Sequence, residues 1–199
     1  MDAYEPVVVE AVAIARERLE AGLPGWLRYH DLSHTAEFVA PDAELLGRDA
    51  GLDAHALGLL LIAAWYHDVG FVERYEDNEV LGVEIATAVL QDLGFPPDDV
   101  GAVTAAIWAT RLPQAPTTEL GRLLCDADLS VLGSPRFAER DAGLHAELVH
   151  EGTTLDDQEW SRRQLAFLES HSWFTDQAAS RWDAAKAEHI VELRRRVGG

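Results

Sequence analysis

Cysteine and long apolar runs are scarce in this sequence of 199 residues. The single cysteine, Cys125, excludes an internal disulfide, which fits a reducing compartment and predicts a cytoplasmic protein. No apolar run reaches the roughly 18 residues that a membrane span requires. The N-terminal stretch MDAYEPVVVEAV also lacks the basic segment of a signal peptide. We therefore expect a soluble protein that does not interact with membranes.

Cations are scarce as well. The chain has 16 Lys and Arg against 35 Asp and Glu, a formal net charge of −19 and a pI near 4.6. Because each contact with a phosphate of a polymer or a membrane surface needs a cation, this balance argues against binding to nucleic acid or to anionic lipid. A small anionic substrate would need a local cation, either an arginine or a metal ion.

The alternating pattern of β-strands is missing, and apolar residues recur at helical spacing almost throughout. With 48% hydrophobic residues and no linker or repeat, the chain is predicted to form a single all-α domain over residues 1–199 without a sheet. We expect Pro41 to kink or split the second helix. The predicted helices span residues 4–21, 31–50, 53–69, 77–93, 97–110, 118–132, 135–150, 157–171 and 174–196.

The stretch WYHDVG, residues 65–70, places a histidine and an aspartate at the end of a helix that is apolar nearly all round. Burying two such groups costs free energy unless a partner compensates it, and a metal ion is one such partner. His30 and His34 are four residues apart, which on one helix puts them on the same face; this spacing alone is weak evidence for ligands.

The apolar run LLCDADLSVLG carries Asp126 and Asp128. Residues two apart point in different directions on a helix, so we expect one aspartate to be solvated or to cap a helix and the other to be buried. A buried carboxylate without a cation tends to be protonated, and a divalent metal is one way to keep it charged.

Taken in order, His34, His67, Asp68 and Asp128 resemble the H…HD…D signature of the HD superfamily of metal-dependent phosphohydrolases. YHDLSHT, WYHDVGFVERYEDNE, ATRLPQAP, LCDADLSVLG and FLESHSWFT also look like segments of small predicted HD hydrolases. The resemblance covers residues 28–175, followed by a C-terminal helix over 176–199. It implies a helical HD-domain bundle in which these four residues bind a divalent ion. Two imidazoles and two carboxylates suit Mn²⁺, Fe²⁺, Ni²⁺, Co²⁺ or Zn²⁺ without deciding among them.

The resemblance further implies hydrolysis of a phosphate ester or anhydride in a small molecule, with a nucleotide as the first candidate. Catalytic HD enzymes often have an acidic residue shortly after the HD pair that orients the attacking water; Glu73 is the first candidate here and Glu79 the second. Arg28 and Arg111 lie closest in sequence to the ligands, and either could bind a phosphate with two hydrogen bonds.

Histidine is absent between Val69 and Ala127, where HD enzymes with two or more metals usually supply further ligands. This departure favours one metal, although His30, Glu37 or an acidic residue after the HD pair could complete a second site. A diiron oxygenase with the same fold and a non-catalytic module that binds a metal or a nucleotide are the alternatives. A homodimer is left open.

Overall fold

The structure, a computed structural model, describes residues 5–198, so the predicted helix start at residue 4 lies outside the described residues. Within residues 5–198 the fold contains nine α-helices and no strand, which confirms the all-α prediction. The helices are α1 Pro6–Gly22, α2 Ala40–Asp49, α3 Ala54–Tyr66, α4 Asn78–Asp92, α5 Pro97–Ala109, α6 Glu119–Asp128, α7 Phe137–His150, α8 Asp157–Ser170 and α9 Asp176–Gly198. A π-helical turn spans His34–Val39, and 3₁₀ turns span Val69–Val72 and Ser130–Gly133.

Helix α3 lies at the centre of the larger apolar core. Every residue from Leu57 to Tyr66 is buried, because helices α1, α2, α5 and α6 pack around it. By length and composition Ala54–Val72 could cross a membrane, so the expectation that no apolar run is long enough was wrong, but 83% of its most apolar part is buried inside the fold. It is therefore the core helix of this bundle.

A smaller apolar cluster follows the end of α6. Its members are Tyr29, Leu129, Val131, Leu132, Phe137, Leu168 and Leu193. Helices α7 and α9 contact the 3₁₀ turn Ser130–Gly133, and α8 packs on α9. The segment after Asp128 thus joins the two clusters.

The second predicted helix, 31–50, is divided at Pro41. Before this proline the chain forms the π-helical turn, in which the Ala40 N–H donates to the Thr35 carbonyl five residues earlier. Proline cannot donate a backbone hydrogen bond and clashes with the carbonyl four residues before it, so a wider turn accommodates it. Since the π-helical turn begins at His34, this irregularity lies at a predicted ligand.

Two predicted helix ends were placed too late. The helix expected over 53–69 ends at Tyr66, and the helix expected over 118–132 ends at Asp128; a 3₁₀ turn follows each. Gly70 lies in the first of these turns, where a Cβ atom would overlap the backbone carbonyl of Asn78. The absence of a side chain therefore lets the start of α4 pack against the WYHDVG segment.

Candidate metal centre

His67 and Asp68 lie at the junction between α3 and the following 3₁₀ turn. His67 is the C-terminal cap of α3, and its Nδ1 lies 2.8 Å from the carbonyl oxygen of Ala64. Because a carbonyl can only accept, Nδ1 carries the proton in this hydrogen bond, and Nε2 is the nitrogen that faces the carboxylates of Asp68 and Asp128. Both side chains are buried, as the sequence pattern indicated.

Four ligand-type atoms converge beside this junction. The Nε2 atoms of His34 and His67 are 3.4 Å apart. Oδ2 of Asp68 lies 3.4 Å from the first nitrogen and 3.1 Å from the second. Oδ1 of Asp128 lies 3.3 Å and 3.5 Å from the same two nitrogens. Helix α3, the π-helical turn and the end of α6 thus bring together all four residues that the HD signature predicted.

These separations fit ligands of one metal ion. Ligands about 2.1 Å from a common ion lie about 3.0 Å apart at right angles and about 3.4 Å apart at tetrahedral angles. Among the described residues, His34, His67 and Asp68 form the one buried group of three or more candidate ligands at this spacing. Oδ2 of Asp68 is buried and has no hydrogen-bond partner in the protein, so a cation would satisfy it.

Burial and neighbouring charges shift the pKa values of these residues in different directions. Burial lowers the pKa of His34 and outweighs the attraction of Asp128 and Asp68. Burial also opposes a charge on His67, but the carboxylates of Asp68 and Asp128 raise the pKa of that histidine well above its usual value. Hydrogen bonds with His34 and His67 hold the pKa of Asp128 below its usual range despite burial. The carboxylates of Asp68 and Asp128 therefore stay charged beside the histidines.

Residues around the ligands fix their orientation. Nε2 of Gln114 donates to Oδ2 of Asp128 at 3.0 Å, which leaves the other carboxylate oxygen facing the histidines. Asp126 points the other way and is fully buried. It accepts hydrogen bonds from the backbone N–H groups of Phe174 and Thr175 and from the Thr175 hydroxyl, just before α9. The two aspartates thus face different directions, as the spacing indicated, but Asp126 is neither solvated nor a helix cap: it is fully buried and binds the segment before α9, whereas Asp128 is half-buried.

His30 is held by a buried carboxylate from α7. Nδ1 of His30 lies 2.7 Å from Oε2 of Glu147, and the ring stacks on Phe71. Oε1 of Glu147 accepts from the backbone N–H groups of Arg28, Tyr29 and His30. Burial lowers the pKa of His30, but the hydrogen bond with Glu147 reverses the effect and raises it. Glu147 therefore fixes both the loop before His34 and the His30 ring.

A cavity of about 310 Å³ opens beside the four ligands. This size lies at the lower end of small-molecule sites. Its polar end is formed by His30, Asp68, Asn78, Glu79 and Asp128. The other end is mostly apolar and is formed by residues of the turn Ser130–Gly133, α7 and α8, among them Leu132, Phe137, Leu144, Leu148, Trp160 and Phe167. The cavity thus has a charged end and an apolar end.

The structure separates the two acidic candidates that follow the HD pair. Glu79, in the first turn of α4, lines the cavity. Glu73 is exposed and borders a different, shallow pocket together with Trp26 and Arg74. Between the two glutamates, Asp77 takes the left-handed conformation at φ 51°, and α4 begins directly after it. Glu73 was the first choice from the sequence, and the structure does not bring it to the cavity.

Neither predicted arginine lines the cavity. The Arg28 side chain is exposed, and the backbone of this residue is bound to Glu147. Arg111 is also exposed; it pairs with Asp77 at 2.8 Å and lies over the ring of Trp108. Within residues 5–198, Arg163 on α8 is the one Lys or Arg on the cavity wall. No local sequence signal marked it, because α8 meets the cavity only through tertiary packing.

Glu37, proposed as a ligand of a second ion, points away from the site. Its carboxylate pairs with Arg136 at 2.9 Å and is 60% exposed. His30 is engaged by Glu147 rather than by another ligand-type residue of the cavity. The described part of the chain therefore does not assemble the second set of ligands that a diiron centre needs.

No protein-family model and no curated protein matches this sequence. The fold is similar to a crystal structure of a predicted HD superfamily hydrolase from an uncultured Thermotogales bacterium, with a TM-score of 0.62 and 24% identity over 94% of this chain and 89% of that one. It is also similar to Bacillus subtilis YpgQ in complex with ADP, with a TM-score of 0.66 and 21% identity over 97% and 98% of the two chains. The chain therefore has the HD-superfamily fold that its motifs predicted.

Proposed function

We propose that the protein is a metal-dependent phosphohydrolase acting on a small phosphorylated molecule, with a nucleotide as the first candidate substrate. The observation that carries this proposal is the convergence of four ligand atoms at the polar end of a cavity. The name of the first structural neighbour, a predicted hydrolase, and the ADP bound to the second are consistent with it.

His34, His67, Asp68 and Asp128 would hold the ion. It would supply a Lewis acid that polarises a phosphoryl oxygen and makes water more acidic. Around it, the protein keeps the ligands oriented, since Ala64 fixes the tautomer of His67 and Gln114 fixes one oxygen of Asp128. This support from neighbouring hydrogen bonds is the usual way in which proteins hold metal ligands in position.

Glu79 is our candidate for the base that orients the attacking water, because it lies on the cavity wall and Glu73 does not. The N-terminal end of α4 borders the cavity at Asn78 and Glu79, and such an end favours anions. His30 faces the same space with its Nδ1 bound to Glu147, so its Nε2 is available to give a proton to the leaving oxygen.

The substrate's negative charge needs positive partners besides the ion. Arg163 lies on the cavity wall and would offset charge on a phosphate or orient its attached group. Arg28 and Arg111 would have to change conformation to reach the cavity, because neither side chain lines it. We retain a soluble, cytoplasmic location as a prediction.

The test uses purified protein and Asp68→Ala. Elemental analysis should find a divalent ion in the wild type and little in the variant, because removing one carboxylate leaves too little negative charge at the site. A panel of nucleotides and sugar phosphates, assayed with Mn²⁺, Fe²⁺, Ni²⁺, Co²⁺ and Zn²⁺ in turn, should then show metal-dependent phosphate release. Full metal occupancy in the variant would exclude Asp68 as a ligand. Metal binding without turnover would favour the non-catalytic module.

A further inference from the structure

The cavity-facing side of α8 carries, besides Arg163, polar groups that have no part in the proposed hydrolysis step. Trp160, Arg163, Gln164 and Phe167 all line the cavity, at the i, i+3, i+4 and i+7 spacing of one helix face. Trp160, Gln164 and Leu168 are the buried residues of this helix. An amide is therefore placed in the middle of a buried apolar stripe.

Gln164 is only 7% exposed, and no other described residue forms a hydrogen bond with its side chain. The amide has no partner in the protein, although its atoms are not sealed from the cavity, and a leucine at so buried a position would stabilise the fold more. Since Gln164 lines the cavity, the missing partner is available only from a molecule inside it. The amide has both a donor and an acceptor to offer such a molecule.

Asp141 on α7 contacts the same face of α8 through Trp160. One of its oxygens accepts a hydrogen bond from Nε1 of Trp160 at 3.0 Å, and Trp160 is one turn of α8 away from Gln164. Asp141 is 9% exposed and also lines the cavity. Burial raises the pKa of Asp141 to about 6, so above this pH its carboxylate is charged and only accepts hydrogen bonds.

We propose that Asp141 and Gln164 form a recognition site for a nucleobase at the apolar end of the cavity, and that the base is guanine. Phe137, Leu144 and Phe167 line the same end and suit the faces of a planar ring. Guanine presents two adjacent N–H donors, which a carboxylate accepts, and next to them a carbonyl oxygen, to which an amide donates. Adenine lacks this row of donors. The inference rests on the proposed function only in placing the phosphate at the ligand end.

The test measures nucleoside binding to the full chain in EDTA, by saturation-transfer NMR and calorimetry. Without metal or phosphate, the result does not depend on hydrolysis. Guanosine should bind about tenfold more tightly than inosine, which lacks the 2-amino donor, and more tightly than adenosine. Asp141→Asn should abolish the preference for guanosine over inosine, because it replaces one acceptor by a donor.

Gln164→Leu gives a second, independent readout. It should weaken guanosine binding about tenfold while raising the melting temperature, a combination that a purely structural role would not produce. Gln158→Leu and Asp157→Asn, which change exposed residues of α8, are the matched controls and should bind guanosine like the wild type. If Asp141→Asn fails to fold, Gln164→Leu decides alone.

Equal binding of guanosine, inosine and adenosine to the wild type would overturn the inference, as would undetectable guanosine binding at millimolar concentration. Selective guanosine binding without hydrolysis of any nucleotide would refute the proposed function and leave this inference standing. Hydrolysis of nucleotides with no preference among bases would overturn this inference and leave the proposed function standing.

Discussion

Replacing Glu147 by glutamine tests how firmly the loop before His34 is held. The carboxylate is fully buried and accepts three backbone N–H groups and Nδ1 of His30. Glutamine keeps the shape and one acceptor but removes the charge, and its NH₂ group would face the His30 nitrogen. Breaking a buried charged pair costs about 3 kcal/mol or more, so we expect a loss of about 3 kcal/mol in the free energy of unfolding.

Urea unfolding followed by tryptophan fluorescence measures this loss, with Glu151→Gln, an exposed change at the end of the same helix, as the control. The partners of Glu147, His30 first, lower its pKa in the folded protein despite burial. Its contribution to stability is thus complete above the unfolded pKa of about 4.3 and is lost as the pH falls through the folded value. The difference between wild type and variant should therefore narrow in acid. A loss below about 1 kcal/mol at neutral pH, or a difference independent of pH, would refute the reasoning.

Three further predictions concern the site and the fold. Glu79→Gln should keep the metal but lower turnover by roughly 10² to 10⁴, the usual size of a general acid–base contribution. The turnover of Glu73→Gln should stay within a few-fold of wild type. The opposite result would restore Glu73, the first choice from the sequence. Gly70→Ala should lower the unfolding free energy by about 2 kcal/mol or more in urea titrations, because its Cβ overlaps the Asn78 carbonyl; an unchanged midpoint would contradict this. Phosphate release should be equal with and without O₂ and supported by Zn²⁺ or Ni²⁺, and activity found only with iron and consuming O₂ would instead indicate an oxygenase.

The helices and the ligands could be read from the sequence for different reasons. The helical spacing of apolar residues depends on local geometry, so it predicted the elements and erred mainly where 3₁₀ turns follow Tyr66 and Asp128. The ligands came from a short ordered motif. Glu73 and Glu79 could not be distinguished in this way, because the chain between them passes through the left-handed conformation of Asp77, directly before α4 begins.

Contacts made by the later helices could not be predicted from local sequence patterns. Glu147 binds His30, which is 117 positions away in the sequence, and the local sequence around either residue does not predict this contact. A signal was nevertheless present: Asp141 shares one helix face with Phe137, Leu144 and Leu148, and Glu147 lies at the edge of that face, so charged groups interrupt an apolar stripe. In the structure each of these two carboxylates has a buried partner, Trp160 for one and the loop at His30 for the other.

The two ends of the cavity are formed by residues from different parts of the fold. The ligands come from elements around the larger core, namely the π-helical turn, the end of α3 and the end of α6. The apolar end comes from α7 and α8, which belong to the smaller cluster beyond Asp128. Helix α7 also holds the loop before His34 through Glu147 and Arg140, whose guanidinium donates to the Tyr29 carbonyl and to Asp31. Substitutions on α7 and α8 that leave these contacts unchanged should therefore disturb His34, His67 and Asp68 little. Apart from these contacts of α7, the groups proposed to bind the ion and the groups proposed to contact the rest of the substrate are held by separate sets of packed side chains, so under the proposed function chemistry and substrate choice could vary separately.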